Sequence, residues 1–359
     1  MIEIDGSYGE GGGQIIRTAM ALSAVTGKKV RITNIRKNRP KPGLKPQHVK
    51  SIETAALLCD ADVTGLSIGS TDVVFAPMEL KGDNVKLDID IGTAGSISLL
   101  LQCIMPAAAC THDGVELTVT GGTDVAWSPT IDYLKHVTFS ALSKMGYDCE
   151  IELLARGYYP KGGGRVRAHL KPARFKGFDL TTEIGKGKIY GISHCANLPE
   201  HVAKRQADSA ASLIRDAGYE CEIETVCVTC SSTGSGISLW HGMIGGSALG
   251  KRGLPAEKVG ENAAKEILTE ICSGASVDVH LADQLIPYMG LGLGLGLGLG
   301  LELCGPEVEF GSFTVRELTQ HTLTNIWVTE QFLDVKFKVQ KIDGLEDDQK
   351  VKLVKVSVR

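Results

Sequence analysis

The sequence predicts an α/β fold of the mixed, α+β kind: three tandem β-α-β-α-β-β units form one large domain, and a smaller α/β domain is inserted in the third copy. Three observations predict it. Strand-like alternation and helix-like periodicity follow one another in the same order twice, offset by about 85 residues. A third copy begins and then breaks off for about 90 residues that carry a complete strand–helix pattern of their own. Finally, 359 residues at 43% hydrophobic content suffice for a large core.

Unit one (1–86) opens with the alternating strand Ile2-Glu3-Ile4 and a glycine loop. A helix is expected from about Gly12 to Val25, a strand at Val30 to Asn34, a helix from Pro46 to Cys59, and strands near Val63 and Val73. Unit two (87–172) repeats the order: strand Leu87 to Ile91, loop Gly92 to Ser96, helix to Cys110, strand Val115 to Thr120, helix Thr130 to Met145, and a hairpin from Cys149 to Leu170. Unit three is split into 173–183 and 277–359, with a strand at Phe178 to Thr182, a helix at Leu281 to Met289, a strand at Ser312 to Val315, a helix from His321 to Leu333 and two closing strands. The insert, 184–276, begins at Gly185-Lys186-Gly187-Lys188. It reads as strand Ile189 to Cys195, helix Pro199 to Ala217, strands Glu222 to Cys230 and Gly236 to Gly242, and helix Pro255 to Ser273. The perfect Gly-Leu alternation at 290–301 is expected to be a low-complexity loop, because half-glycine sequence is a poor helix former.

Composition narrows the function classes. Net charge is −4, so no global excess of cations advertises nucleic acid. Locally the balance differs: from Gly11 to Ile52 there is no Asp or Glu, while ten Lys or Arg occur, a one-signed stretch suited to a polyanion. No charged-then-apolar leader opens the chain, and the uncharged run Leu285–Leu301 is too rich in glycine to span a bilayer; no membrane association is expected. Ten scattered cysteines fit reduced thiols in the cytoplasm. Cys227-x-x-Cys230 lacks a second pair at metal spacing and reads as two small hydrophobes in a strand.

Three segments stand out chemically. The loop Gly6 to Gln14 opens a helix, so its free N–H groups suit a phosphate, with Glu10 in the loop and Arg17 one turn beyond Gln14 on the same face. The alternative for these residues is a capped helix with a surface ion pair. His321 begins the last core helix, where the helix dipole would lower its pKa and leave a neutral imidazole able to attack phosphorus. On position alone a helix-terminal or core hydrogen-bonding role is the commoner one for such a histidine. The third segment is Arg156-Gly-Tyr-Tyr-Pro-Lys-Gly-Gly-Gly-Arg-Val166, whose run of three glycines needs a backbone that only glycine can adopt or a very close approach.

That last string matches the signature of RNA 3'-terminal phosphate cyclases, and the chain resembles this family along nearly its full length apart from the Gly-Leu tract. Further matches are Asp5 through Arg17, Arg36 through His48, Ala282-Asp283-Gln284 and His321 through Asn325. The resemblance implies an ATP-dependent enzyme of the ligase class, with His321 as a nucleophile that becomes linked to AMP. It implies that Gln102, Pro129, Asp283 and Gln284 line the ATP site, with His280 where Tyr is frequent. Glu10, Gln14, Arg17, Arg36, Arg39, Gln47 and His48 match residues on the phosphate and RNA-end side, and Glu10 is the candidate ligand for Mg²⁺ or Mn²⁺. The partner implied is an RNA ending in a 3'-phosphate; oligomeric state stays open, a homodimer included. The signature hairpin itself is expected to be structural, turning the chain so that unit two packs beside unit three; Lys161 and Arg165 are weaker candidates for phosphate contact. Two other readings remain: a non-catalytic relative acting in RNA binding or ribosome assembly, and an enolpyruvyl transferase, which uses the same repeat but not the hairpin or the His321 segment.

Overall fold

A computed structural model describes residues 1–82, 85–181, 185, 187–298, 310–343 and 352–358. The first sheet contains β1 (Ile2–Asp5), β2 (Val30–Thr33), β3 (Asp62–Thr64) and β4 (Val73–Ala76), with α1 (Gly13–Thr26) and α2 (Pro46–Cys59) between them. Gly27, at φ 68°, ends α1 in the left-handed conformation, and Pro46 starts α2, where its missing N–H costs no hydrogen bond. The second sheet contains β5 (Val85–Asp90), β6 (Val115–Gly121), β7 (Cys149–Ala155) and β8 (Gly164–Leu170). Its first helix is α3 (Ile97–Ala108), capped by the Ser96 hydroxyl; its second is α4 (Ile131–Tyr133), which runs through a π turn (Leu134–Thr138) into α5 (Phe139–Lys144).

After β9 (Phe178–Leu180) comes the inserted layer: β10 (Ile189–Ala196), α6 (His201–Asp216), β11 (Cys221–Val228), β12 (Gly234–His241), β13 (Ile244–Leu249) and α7 (Ala256–Cys272). The chain then forms α8 (Val279–Gly298), β14 (Gly311–Val315), α9 (Gln320–Phe332), β15 (Phe337–Asp343) and β16 (Lys352–Val358). Thr182, Lys186 and the expected insert boundary at 183–184 lie outside the described residues.

Three sheets share one topology. Their strand orders are β1-β2-β4-β3, β5-β6-β8-β7 and β9-β14-β16-β15. In each the first pair is parallel and the other two are antiparallel. A parallel first pair demands a crossover, and α1, α3 and α8 each lie within one. Helix α1 packs against α2, α3 and α9, and α8 packs against α9 and α3, so the helices of all three units meet in one layer over a continuous core. The inserted sheet, ordered β11-β10-β12-β13, has its own cluster with α6 and α7, including Ile189, Ile237, Ile214 and Ile267. No helix among the described residues is long and apolar enough to cross a membrane.

Two expectations are corrected. Sequence reading found two strands after α6; the structure has a third, β13, which pairs with β12 around the turn at Gly242. Its Gly245-Gly246 start hides it from propensity, yet Gly245 abuts the Tyr133 ring and Gly246 abuts α7, where any side chain would collide. The Gly-Leu tract was expected to be a loop from residue 290, but α8 continues to Gly298; 299–301 lie outside the described residues. Tertiary packing overrides propensity here. Leu291 and Leu293 are buried, while Gly290 and Gly292 let α8 approach Thr329 and Phe310 so closely that a Cβ would lie 2.5 Å and 2.3 Å from them.

Candidate active site

The glycine loop before α1 is shaped by its neighbours. Gly9 and Gly11 adopt φ values of 57° and 58°, which favour glycine, and a Cβ on Gly13 would lie 2.3 Å from Nε2 of His48. The loop thereby brings Glu10 to the N-terminus of α9. There Thr319 caps the helix by accepting from the N–H of Thr322, and His321 occupies the first turn.

His321 stands between two carboxylates. Its Nδ1 is 3.5 Å from Asp283 Oδ2, and its Nε2 is 3.5 Å from Glu10 Oε2. Gln14 donates to the His321 carbonyl, and Asn325, one turn further along α9, donates to the Asp283 carbonyl at 2.7 Å. Thr18 donates to Asn325 at 2.7 Å, which locks α1, α8 and α9 together. The expected lowering of the His321 pKa by the helix dipole is corrected. The Asp283 contact raises it first of all; burial opposes that, and the charges of Asp283 and Glu10 reinforce it. Two full charges at this distance outweigh the partial charge of a helix end.

Beside His321, Gln14, Arg17, Gln102, Asp283, Gln284 and Asn325 line one pocket, so residues assigned to the nucleotide side and to the phosphate side share a cavity. Burial holds Arg17 below its ordinary pKa against the pull of Asp283, and Arg17 has no ion-pair partner among the described residues. Arg39 donates to Glu10 at 3.0 Å. Arg36, at φ 54°, donates instead to the carbonyls of Lys41 and Gly43, holding the basic loop in shape; burial and then Arg39 lower its pKa.

His48 is buried, and its Nδ1 accepts from the Lys45 N–H at 3.1 Å. Burial foremost, then Arg17, Arg36 and Lys45, push its pKa down to about 3, so it is neutral at any physiological pH. Gln47 accepts from the Ser96 N–H at 3.3 Å, linking α2 to the cap of α3.

Two residues assigned to the nucleotide have other partners in this structure. The Pro129 carbonyl accepts from Ser98 at 2.6 Å, and the residue does not line this pocket. His280 points outward, 60% exposed, with its Nε2 3.2 Å from Glu266 of α7; that hydrogen bond raises its pKa to about 9. It is the His280 carbonyl, not the ring, that reaches inward, accepting from Gln284 at 2.8 Å.

Sequence reading missed the ionic group under the signature hairpin. Arg156 donates to Asp124 at 3.1 Å and to Asp132 at 2.8 Å; His194 Nε2 is 3.4 Å from Asp124, and the Tyr158 hydroxyl meets His194 Nδ1 at 2.7 Å. Burial alone would raise the Asp124 carboxyl, but His194 and Arg156 outweigh it and hold it well below the carboxylate range. Asp124, Asp132 and His194 are close enough together to hold a metal ion, the one such group among the described residues, but the Arg156 guanidinium already occupies the cation position between the two aspartates. No local signal marks the group: a buried arginine needs carboxylate partners, but the burial of Arg156 is visible only in the folded chain.

The hairpin's packing is corrected as well. Unit two does meet unit three, through α3 and the π turn against α8, but the hairpin itself docks on the inserted layer. Tyr158 lies against Gly234, Ser231 and Ser232 donate to the Gly162 carbonyl, and a Cβ on Gly163 would lie 2.1 Å from Ser231 Oγ. Arg165 pairs loosely with exposed Asp88 at 3.5 Å. Cys227 Sγ lies 3.1 Å from Cys195 Sγ across β11 and β10, and the nine cysteines among the described residues are free thiols.

Residues 8–339 match the family model described as RNA 3'-terminal phosphate cyclase. Among curated proteins, the chain is 61% identical over 345 residues to the RNA 3'-terminal phosphate cyclase of Methanosarcina barkeri, covering 96% of this chain and 98% of that one. It is 57% identical to the protein of that name from Methanosarcina mazei, with 96% and 98% covered, and 46% identical to that from Pyrococcus furiosus, with 99% of each covered.

Proposed function

Because the chain belongs to the RNA 3'-terminal phosphate cyclase family, we propose that it converts an RNA 3'-terminal phosphate to a 2',3'-cyclic phosphate, using ATP and with His321 as the residue that carries AMP. The observation that carries this reading is the pair of carboxylates on the two nitrogens of His321. A proton on Nδ1 directed at Asp283 leaves the lone pair on Nε2, on the Glu10 side.

Nε2 attacks the α-phosphorus of ATP, the bond to the bridging oxygen breaks, and pyrophosphate leaves. The positive charge that develops on the ring faces Asp283, as transition-state stabilisation requires. An oxygen of the RNA 3'-phosphate then attacks the same phosphorus, the P–N bond breaks, and neutral imidazole returns. Last, the 2'-hydroxyl attacks the activated 3'-phosphorus, loses its proton, and AMP departs; both reacting groups sit on one ribose, so little entropy is lost. Arg17 and Arg39 neutralise phosphate charge, Gln102, Asp283 and Gln284 hold the nucleotide, and Arg36, Gln47 and His48 shape the RNA-end side.

Glu10 fits the role of ligand to Mg²⁺ or Mn²⁺: its half-exposed carboxylate is a hard oxygen donor at the mouth of the site. When bound, such a cation supplies charge neutralisation for the triphosphate.

The test uses ATP labelled at the α-phosphate. The protein should acquire label that acid removes and alkali does not, as expected of a phosphoramidate, and then turn over an oligonucleotide ending in a 3'-phosphate. Label retained by His321→Ala would defeat the assignment. The two carboxylates on His321 also weigh against the non-catalytic reading, which has no use for a poised imidazole.

A further inference from the structure

Trp127 carries two costs that packing does not explain. Its backbone adopts φ 66°, a region bulky side chains avoid, and its indole is 99% exposed. Tyr159, at the tip of the signature hairpin, is 78% exposed. A backbone bridge between Asp124 and Tyr158 holds the two loops side by side, and both rings line one cleft between unit two and the inserted layer.

The cleft, of about 1230 Å³, exceeds the roughly 300–1,000 Å³ of a site for one small molecule. It lies close to the candidate active site: Leu99 of α3 lines the cleft, and Gln102, one turn on, lines the pocket beside His321. Its charge is positive. Lys251 and Arg252 lie exposed on its rim, Arg205 is matched by Glu257, and the carboxylate of Asp124 is buried against Arg156.

We propose that this cleft is the track for the single-stranded nucleotides on the 5' side of the phosphorylated RNA end, with Trp127 and Tyr159 stacking on bases and Lys251 and Arg252 on the phosphates. Exposed aromatic rings beside cations are how sequence-tolerant single-strand binding is built. The proposal rests on the cyclase reading for the identity of the strand, not for its affinity.

The test measures fluorescence polarisation of labelled RNAs of about eight nucleotides, a length within the usual single-strand site size, ending in either a 3'-phosphate or a 3'-hydroxyl. Trp127→Ala should weaken both by about 5-fold to 100-fold, and Tyr159→Ala by a similar or smaller factor. The double variant Lys251→Ala, Arg252→Ala should flatten the salt dependence by roughly 1.4 in slope, about 0.7 for each lost phosphate contact. The KM for a phosphorylated dinucleotide and the AMP labelling of His321 should not change in any of them. Equal affinity of the wild type for the octamer and the dinucleotide, or unaltered octamer affinity in Trp127→Ala, would overturn the proposal. So would a Trp127→Ala protein that binds RNA normally but changes its oligomeric state in gel filtration, since the cleft would then hold a second copy. Failure of labelling in the wild type with Trp127-dependent RNA binding intact would overturn the cyclase reading and leave the track standing.

Discussion

His321 and His194 each lie within 3.5 Å of an aspartate, and the surroundings of the two rings are opposite. His194 is fully buried, with Tyr158 on one nitrogen and Asp124 near the other, while Arg156 satisfies the remaining charge. No substrate can reach it, so its neighbours serve to join the signature hairpin to the inserted layer. The side chain of His321 is 47% exposed, beside a pocket carrying an arginine with no ion-pair partner among the described residues. The same pairing of imidazole and carboxylate is thus a fastener where every group is sealed in, and a candidate nucleophile where one nitrogen stays accessible.

The largest effects should come from exchanging the perturbation between the two sites. His321→Ala should cut AMP labelling by more than about 10³-fold. Its unfolding free energy from urea denaturation should stay within about 0.5 kcal/mol of wild type, as for other surface positions. Arg156→Met should do the reverse, costing about 3–5 kcal/mol in urea denaturation because Asp124 and Asp132 are left buried without a cation. Folded Arg156→Met protein should still label; loss of labelling without loss of stability would erase the distinction.

The pH dependence sharpens it. The His321 pKa is raised, so the neutral, nucleophilic ring appears only as pH climbs through a midpoint above the ordinary 6.5. Labelling rate should rise with pH accordingly. Asp283→Asn should move that midpoint down while lowering the plateau on the order of 10²-fold, because nothing then stabilises the charged ring. An unmoved midpoint would show that Asp283 does not orient the imidazole.

Asp124 responds with the other sign. Its carboxyl is depressed in the folded state, so its contribution is present above the unfolded value of about 3.9 and lost as pH falls towards the folded one. Acid unfolding monitored by circular dichroism should therefore be steeper in the wild type than in Asp124→Asn. Equal steepness would mean that the hairpin network is not ionised as drawn.

The smallest effects concern α8, the helix that carries Asp283. Gly292→Ala should destabilise by about 1–3 kcal/mol, since its Cβ would press into the buried ring of Phe310. Gly294→Ala meets nothing closer than 3.4 Å and should be neutral or stabilise by up to about 1 kcal/mol through helix propensity. If both substitutions stabilise, α8 does not pack as closely against Phe310, the residue before β14, as the structure has it.

Much of this was legible in the chain. The α+β class follows from period-2 and period-3.6 patterns that need no knowledge of neighbours, and Gly27 and Pro46, by their backbones, and Ser96, by its hydroxyl, mark helix ends locally. Gln14, Arg17, Gln102, Asp283 and Gln284 were named from the family resemblance and line one pocket beside His321. The misses share a cause. β13 and the extension of α8 are poor in propensity and exist because Tyr133, Thr329 and Phe310 fill the space a side chain would take. Nor does the local sequence show that the His280 ring meets Glu266 of α7.

By itself, then, the sequence determined the order and kind of its elements, the helix caps and the residue types able to do phosphoryl chemistry, because backbone preference and side-chain identity are local properties. Only the tertiary structure decided which imidazole is reachable, which way the pKa of His321 moves, and that Arg156 takes the place a metal would otherwise occupy. Those depend on burial and on charges a few ångströms away, supplied by residues as distant along the chain as Thr18 is from Asn325, 307 positions apart.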